Sequence, residues 1–226
     1  YAVDPEKIAL CGFSAGGHLC ASLCVHFEDI SDRDPEYQAV SNRPDAAILS
    51  YPVITSGEYA HRDSMVALLG SEPTEKELEY MSLEKHVTAD TPPCFLWQTV
   101  TDATVPVENS YLFAEACRRN GVCFAHHVFS EGVHGMSIAT EQWLEREFGV
   151  PYTLEQIRLL ADAVSQGRTS YPEEKGAEIL ADFGLDGRKK EKWMPDEKNA
   201  IRNTLKEVGI WPRLAEDWLS KIWQKN

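Results

Sequence analysis

Residues 8–18 read Ile8-Ala9-Leu10-Cys11-Gly12-Phe13-Ser14-Ala15-Gly16-Gly17-His18, an apolar run that meets a G-x-S-x-G turn at Ser14. Residues 8–11 have the length and composition of a short buried strand. Residues 15–28 then read as a helix, with Leu19, Leu23 and Phe27 at fourfold spacing. Gly12, Gly16 and Gly17 permit a sharp strand-to-helix turn and close approach by the helix, which presents the serine at a helix N-terminus. A serine hydroxyl is a poor nucleophile at neutral pH. It needs a base to take its proton and donors to stabilise charge appearing on an attacked carbonyl.

Downstream, strand, helix and polar turn alternate. Strands are expected at 46–49, 94–98 and 122–129, a helix at 107–120 ended by Gly121, and a shorter helical stretch at 64–69 closed by Gly70. Residues 82–87 lead into Pro92-Pro93. This spacing is that of a parallel sheet with crossover helices, an α/β fold. Asp102 lies in the turn after the 94–98 strand, and His134 in the glycine-flanked turn after 122–129. A carboxylate at Asp102 can accept the proton of one imidazole nitrogen and leave the other as a base. Ser14, Asp102 and His134 follow predicted strands in the order Ser, Asp, His, which points to serine hydrolase chemistry. His126 and His127 fall inside the preceding strand, one of them read as a solvated or core histidine. His18 is expected to pack or hydrogen-bond beside the site.

In these blocks the sequence resembles the α/β-hydrolase superfamily, and within it acetyl esterases, carboxylesterases and acetyl-xylan-esterase-like proteins. The matching pieces are Gly12-Phe13-Ser14-Ala15-Gly16-Gly17-His18-Leu19, Tyr51-Pro52-Val53, Asp102-Ala103-Thr104-Val105-Pro106-Val107-Glu108-Asn109-Ser110 and Phe129-Ser130-Glu131-Gly132-Val133-His134-Gly135. They span roughly residues 1–140 and are specific in combination. The resemblance implies Ser14 as nucleophile, Asp102 as triad acid, His134 as base and the backbone N–H of Ala15 as one oxyanion donor. Thr101 departs from the pattern, since many relatives carry an acidic residue there; Asp102 keeps its D-x-x-V-P context.

The resemblance also implies what lies outside the motifs. The strand before Ser14 resembles strand five of eight, so the expected fold is the C-terminal half of an α/β-hydrolase sheet with flanking helices. Strands one to four, and the His-Gly-Gly type loop that supplies further oxyanion amides, have no match in this chain. Loss of such donors would cost about 3–4 kcal/mol of transition-state stabilisation. Strand 8–11 would be an exposed edge. Since the sequence opens on Tyr1 rather than Met, the expected remedy is an N-terminal portion; a second copy in a homo-oligomer or a swapped segment would also complete the sheet.

Past Tyr152 the pattern becomes helical. Leu154, Ile157, Leu160, Ala161 and Val164 mark one helix, 176–183 a second and Ile201, Leu205 and Val208 a third, with Arg188-Lys189-Lys190 as a solvated loop. Ile210-Trp211-Pro212 opens an amphipathic terminal helix that resembles the last helix of the family. The expected organisation is a core at 1–149, a helical insertion at 150–209 acting as a cap or an oligomer contact, and a terminal helix at 210–226 packed on the core.

Composition narrows the partners. The formal net charge of -14 sits entirely on residues 1–149, which hold 23 acidic and 9 basic side chains. That field disfavours nucleic acid and acidic membrane surfaces. The six cysteines fall mostly inside apolar patterns without metal-ligand spacing and read as buried thiols of a reducing, cytoplasmic interior. No cofactor, metal or nucleotide motif is apparent. The expected substrate is a small ester with a short acyl group, such as an acetylated sugar. The rival readings are peptide or amide hydrolysis by the same triad, and a truncated or degenerate hydrolase with a binding or assembly role.

Overall fold

The computed structural model describes residues 3–29, 34–147, 151–169, 171–187 and 193–224. The basic stretch 188–190 lies outside the described residues. In chain order the elements are β1 (Ala9–Phe13), α1 (Ala15–Val25), β2 (Ala46–Ser50), α2 (Arg62–Leu69), α3 (Glu75–Tyr80), β3 (Cys94–Thr99) and α4 (Glu108–Arg119). They continue with β4 (Phe124–Phe129), α5 (Glu141–Leu144), α6 (Pro151–Ser165), α7 (Lys175–Asp182), α8 (Pro195–Val208) and α9 (Trp211–Trp223). Among the described residues the strands form one sheet in the order β1-β2-β3-β4, parallel throughout. Helices α5–α7 form an insertion ahead of the joined pair α8 and α9.

The two inner strands are buried at every position: Ala-Ala-Ile-Leu-Ser in β2 and Cys-Phe-Leu-Trp-Gln-Thr in β3. Continuous apolar runs of this kind belong to parallel strands covered on both faces. On one face Ala47, Leu49 and Leu96 pack with Ala21 and Cys24 of α1 and with Phe113, Ala116 and Cys117 of α4. On the other, Phe95 meets Trp218 at 5.8 Å and Trp97 stacks on Trp211 at 5.2 Å, both partners from α9. The three-layer arrangement leaves β1 as an edge strand, half-exposed along most of its length.

Helix α1 corrects the sequence reading. It stops at Val25 rather than running to residue 28, and the stripe Leu19, Leu23 and Phe27 is not its buried face. Gly17, His18, Ala21 and Cys24 are buried, whereas Leu19 is 72% exposed. Apart from His18 the inner face is small, and at Gly17 there is no room for a Cβ beside Pro52. The cysteines divide likewise: Cys24, Cys94 and Cys117 are buried, Cys20 is half-buried, and Cys11 and Cys123 are exposed. Helix α3 was not expected, although Thr74-Glu75-Lys76-Glu77 closes a complete capping box at its start.

The contacts divide the chain into two compact units, one comprising residues up to Ile138 together with those from Lys206 onward, the other Ala139–Leu205. Within the second unit α7 packs along α6, where Ala161 and Val164 are fully buried. Arg202 reaches Glu145 at 2.7 Å and Glu141 at 3.1 Å, and Lys198 reaches Glu145 at 2.6 Å, tying α8 to α5. Ser14, Asp102 and His134 all belong to the first unit.

Candidate active site

Ser14 occupies the turn between β1 and α1 with φ 55 and ψ −119, a backbone conformation that L-residues rarely adopt. Hydrogen bonds on both sides hold it there. Its N–H donates to the Ser50 carbonyl at 3.0 Å, and its carbonyl accepts from the amides of His18 at 3.1 Å and Val53 at 3.2 Å. The turn tolerates no side chain at Gly12, where a Cβ would lie 2.1 Å from the carbonyl oxygen of Gly16. Nor at Gly17, where it would lie 2.8 Å from Cβ of Pro52. Gly16, grouped with them in the sequence reading, faces open space, so close approach is carried by the other two.

The structure brings Ser14, Asp102 and His134 together, although 120 positions separate the serine from the histidine. His134 Nε2 lies 2.8 Å from Ser14 Oγ, and His134 Nδ1 lies 2.7 Å from Asp102 Oδ2. The Asp102 side chain is 1% exposed. Its other oxygen, Oδ1, accepts the amides of Thr104 at 2.9 Å and Val105 at 3.0 Å. A carboxylate only accepts, so Nδ1 is the donor toward Oδ2. The lone pair of the neutral imidazole is thereby left at Nε2, facing the serine hydroxyl. The N–H of Ala15 belongs to the first turn of α1, whose amides have no intrahelical acceptor and carry the positive end of the helix dipole.

Residues that the sequence reading left without a role surround His134. The ring of Tyr51 meets the imidazole edge-on at 5.0 Å, and its hydroxyl accepts the N–H of Ser137 at 3.2 Å. Burial pushes the Tyr51 phenol up to about 12, so it stays neutral across the working range. The indole Nε1–H of Trp211 donates to the Ser137 carbonyl at 2.8 Å. Thr101, noted only as a departure from the family pattern, exchanges two hydrogen bonds with Gly132. At the start of the same loop, Ser130 Oγ donates to Glu207 at 3.2 Å. Tyr51-Pro52-Val53 was visible as a motif, but nothing in a linear string says that its ring touches residue 134.

The other histidines take structural places. His18 Nε2 lies 3.2 Å from the Met81 carbonyl, and burial lowers its pKa. His126 Nε2 lies 3.0 Å from Ser110 Oγ, and His127 packs against Phe95 at 5.0 Å. Among the described residues no group of three His, Cys, Asp or Glu side chains is placed to hold a metal ion, and no helix is long and apolar enough to cross a membrane.

A strand-to-helix turn bearing a strained serine at the end of a parallel sheet, with Asp102 and His134 in the loops that follow β3 and β4, defines an α/β-hydrolase relationship. The sequence profile of the BD-FAE family matches residues 1–117, and the chain belongs to that family. It is 54% identical over 156 residues to endo-1,4-beta-xylanase B of Butyrivibrio fibrisolvens, covering 69% of this chain and 25% of that protein. It is 32% identical over 143 residues to an acetylxylan esterase of Xylanibacter ruminicola, covering 61% of this chain and 28% of that one. Among solved structures, the acetyl ester-xyloside bifunctional hydrolase of Caldicellulosiruptor lactoaceticus superposes with a TM-score of 0.59 at 44% identity. That match covers 62% of this chain and 54% of the other. The chain thus spans about a quarter of the two curated relatives and about half of the solved one.

Proposed function

We propose that this chain carries the reacting groups of a serine carboxylic ester hydrolase acting on short acyl esters, acetylated xylan-type sugars foremost. The carrying observation is the 2.8 Å contact between Ser14 Oγ and His134 Nε2, backed by Asp102 at 2.7 Å on the other ring nitrogen. Similarity to an acetylxylan esterase and to an acetyl ester-xyloside hydrolase supports the acetyl preference.

His134 Nε2 takes the proton of Ser14 as Oγ attacks the ester carbonyl, and Asp102 stabilises the imidazolium that forms. The amide of Ala15 holds the oxyanion of the tetrahedral intermediate. Collapse passes the proton from Nε2 to the leaving alcohol and leaves an acyl-Ser14. Water, deprotonated by the same nitrogen, then attacks and releases the acid. Further oxyanion amides come from a segment that also lies along β1, whether an additional portion of the polypeptide or a second copy. Support for such a cover comes from the half-exposed edge strand and the exposed Leu19 beside it.

Hydrolysis of 4-nitrophenyl acetate by the full-length protein tests this reading. Ser14→Ala is expected to lower kcat at least about 10³-fold with the fold intact. Unchanged turnover in that variant would overturn the assignment.

A further inference from the structure

The loop that carries His134 runs on into Ser137, a residue held at φ 53, where a non-glycine residue is strained. Both polar groups of Ser137 are taken by side chains from distant elements: Tyr51 Oη accepts its N–H at 3.2 Å, and Trp211 Nε1–H donates to its carbonyl at 2.8 Å. The same Tyr51 ring stands edge-on against the imidazole of His134. Tyr51 is itself strained at φ 36, and its N–H donates to the Trp97 carbonyl at 2.7 Å. Trp97 in turn stacks on Trp211. Tyr51, Trp97 and Trp211 therefore form a closed bracket around one residue, three positions beyond the base, by holding the peptide groups on both sides of its Cα. A strained conformation persists only where its surroundings over-determine it, and here they converge on the segment that fixes His134.

We infer that Tyr51 and Trp211 are positioning residues: by holding the two peptide groups that flank the Cα of Ser137 they keep the His134 imidazole in line between Asp102 and Ser14. The inference rests on the hydrolytic reading of that site. With either hydrogen bond gone, Ser137 relaxes toward ordinary φ and the His134 loop shifts with it. A displacement of about 1 Å at a reacting group costs up to about 100-fold in rate, so a fraction of that shift is measurable.

Tyr51→Phe and Trp211→Phe each delete one polar atom while keeping an aromatic ring in the bracket. Each is expected to lower kcat for 4-nitrophenyl acetate between about 3- and 30-fold with KM within about twofold. A general packing defect would not separate the two constants in this way. The double variant should lose less than the product of the single losses, because both residues fix the backbone of the same residue, Ser137. The downfield proton resonance of the His134–Asp102 hydrogen bond gives a second readout that needs no turnover, and it should broaden or shift in both variants. Should Trp211→Phe fail to fold, Tyr51→Phe alone decides. Wild-type kcat together with an unmoved resonance in Tyr51→Phe would overturn the inference. An inactive wild-type protein would instead overturn the hydrolase reading and leave the resonance to judge the positioning.

Discussion

The hydroxyl of Thr101 donates to the carbonyl of Gly132 and accepts from the amide of the same residue, both at 2.9 Å. Two loops are joined by that exchange: Thr101 directly precedes the acid Asp102, and Gly132 lies two residues before His134. In place of the acidic side chain expected of relatives, a group that both donates and accepts satisfies one glycine completely. A carboxylate could do only half of this.

Thr101→Val keeps the shape and removes both bonds, stranding an amide and a carbonyl in a half-buried place. Stability should fall by about 1–3 kcal/mol and kcat about tenfold, with Thr101→Ser close to wild type. Urea unfolding and steady-state kinetics read the two effects. A valine variant as active and as stable as the serine variant would contradict the bridging role.

Asp102→Asn separates charge from geometry. The asparagine oxygen can still accept from Thr104 and Val105, but its amide then donates toward His134 Nδ1. That forces the proton onto Nε2, so the ring can no longer take one from Ser14. The expected loss is about 10⁴-fold in kcat with little change in melting temperature. A loss under tenfold would remove Asp102 from the mechanism.

Acid should weaken the fold through His126. Burial, with the charge of neighbouring His127 second, pushes its pKa down to about 4. The facing groups are Ser110, Tyr111 and His127, none of them anionic. A histidine with a lowered folded pKa binds fewer protons than the unfolded chain. Stability is therefore full above about pH 6.5 and declines as pH falls from there toward 4. His18 and His127, also lowered, act in the same sense. After allowance for solvent at a half-buried ring, His126 contributes about 1–2 kcal/mol. His126→Gln should flatten the fall in melting temperature between pH 7 and 5. An equally steep fall would assign the acid sensitivity elsewhere.

The Trp97 indole, fully buried, donates to Ser50 Oγ at 2.7 Å. Ser50→Ala leaves that N–H without its partner and should cost about 1–3 kcal/mol. Trp97→Ala opens a cavity between Tyr51, Phe129 and Trp211 and should cost about 3–5 kcal/mol. Packing therefore outweighs the hydrogen bond. Equal costs in urea unfolding would show the reverse.

How legible this molecule is in its sequence depends on the range of the physics. The turn at Ser14 and the inner strands follow from local composition, and Asp102 and His134 from their places after strands. The inner face of α1 did not follow, because a fourfold apolar stripe looks like a core face until the closeness of Pro52 to Gly17 is known. Helix α3 is readable from the capping box of Thr74 and Glu77. The bracket of Tyr51, Ser137 and Trp211 joins positions 86 and 74 apart, and only the folded chain brings them together.

The contact between Ser137 and Trp211 also turns the stretch between them into a closed appendix. Its two ends are already fastened to each other by the 2.8 Å bond, so the host does not depend on the appendix to bridge a gap. Tyr51 and Trp211, the two side chains that anchor the histidine loop, both lie in the first unit.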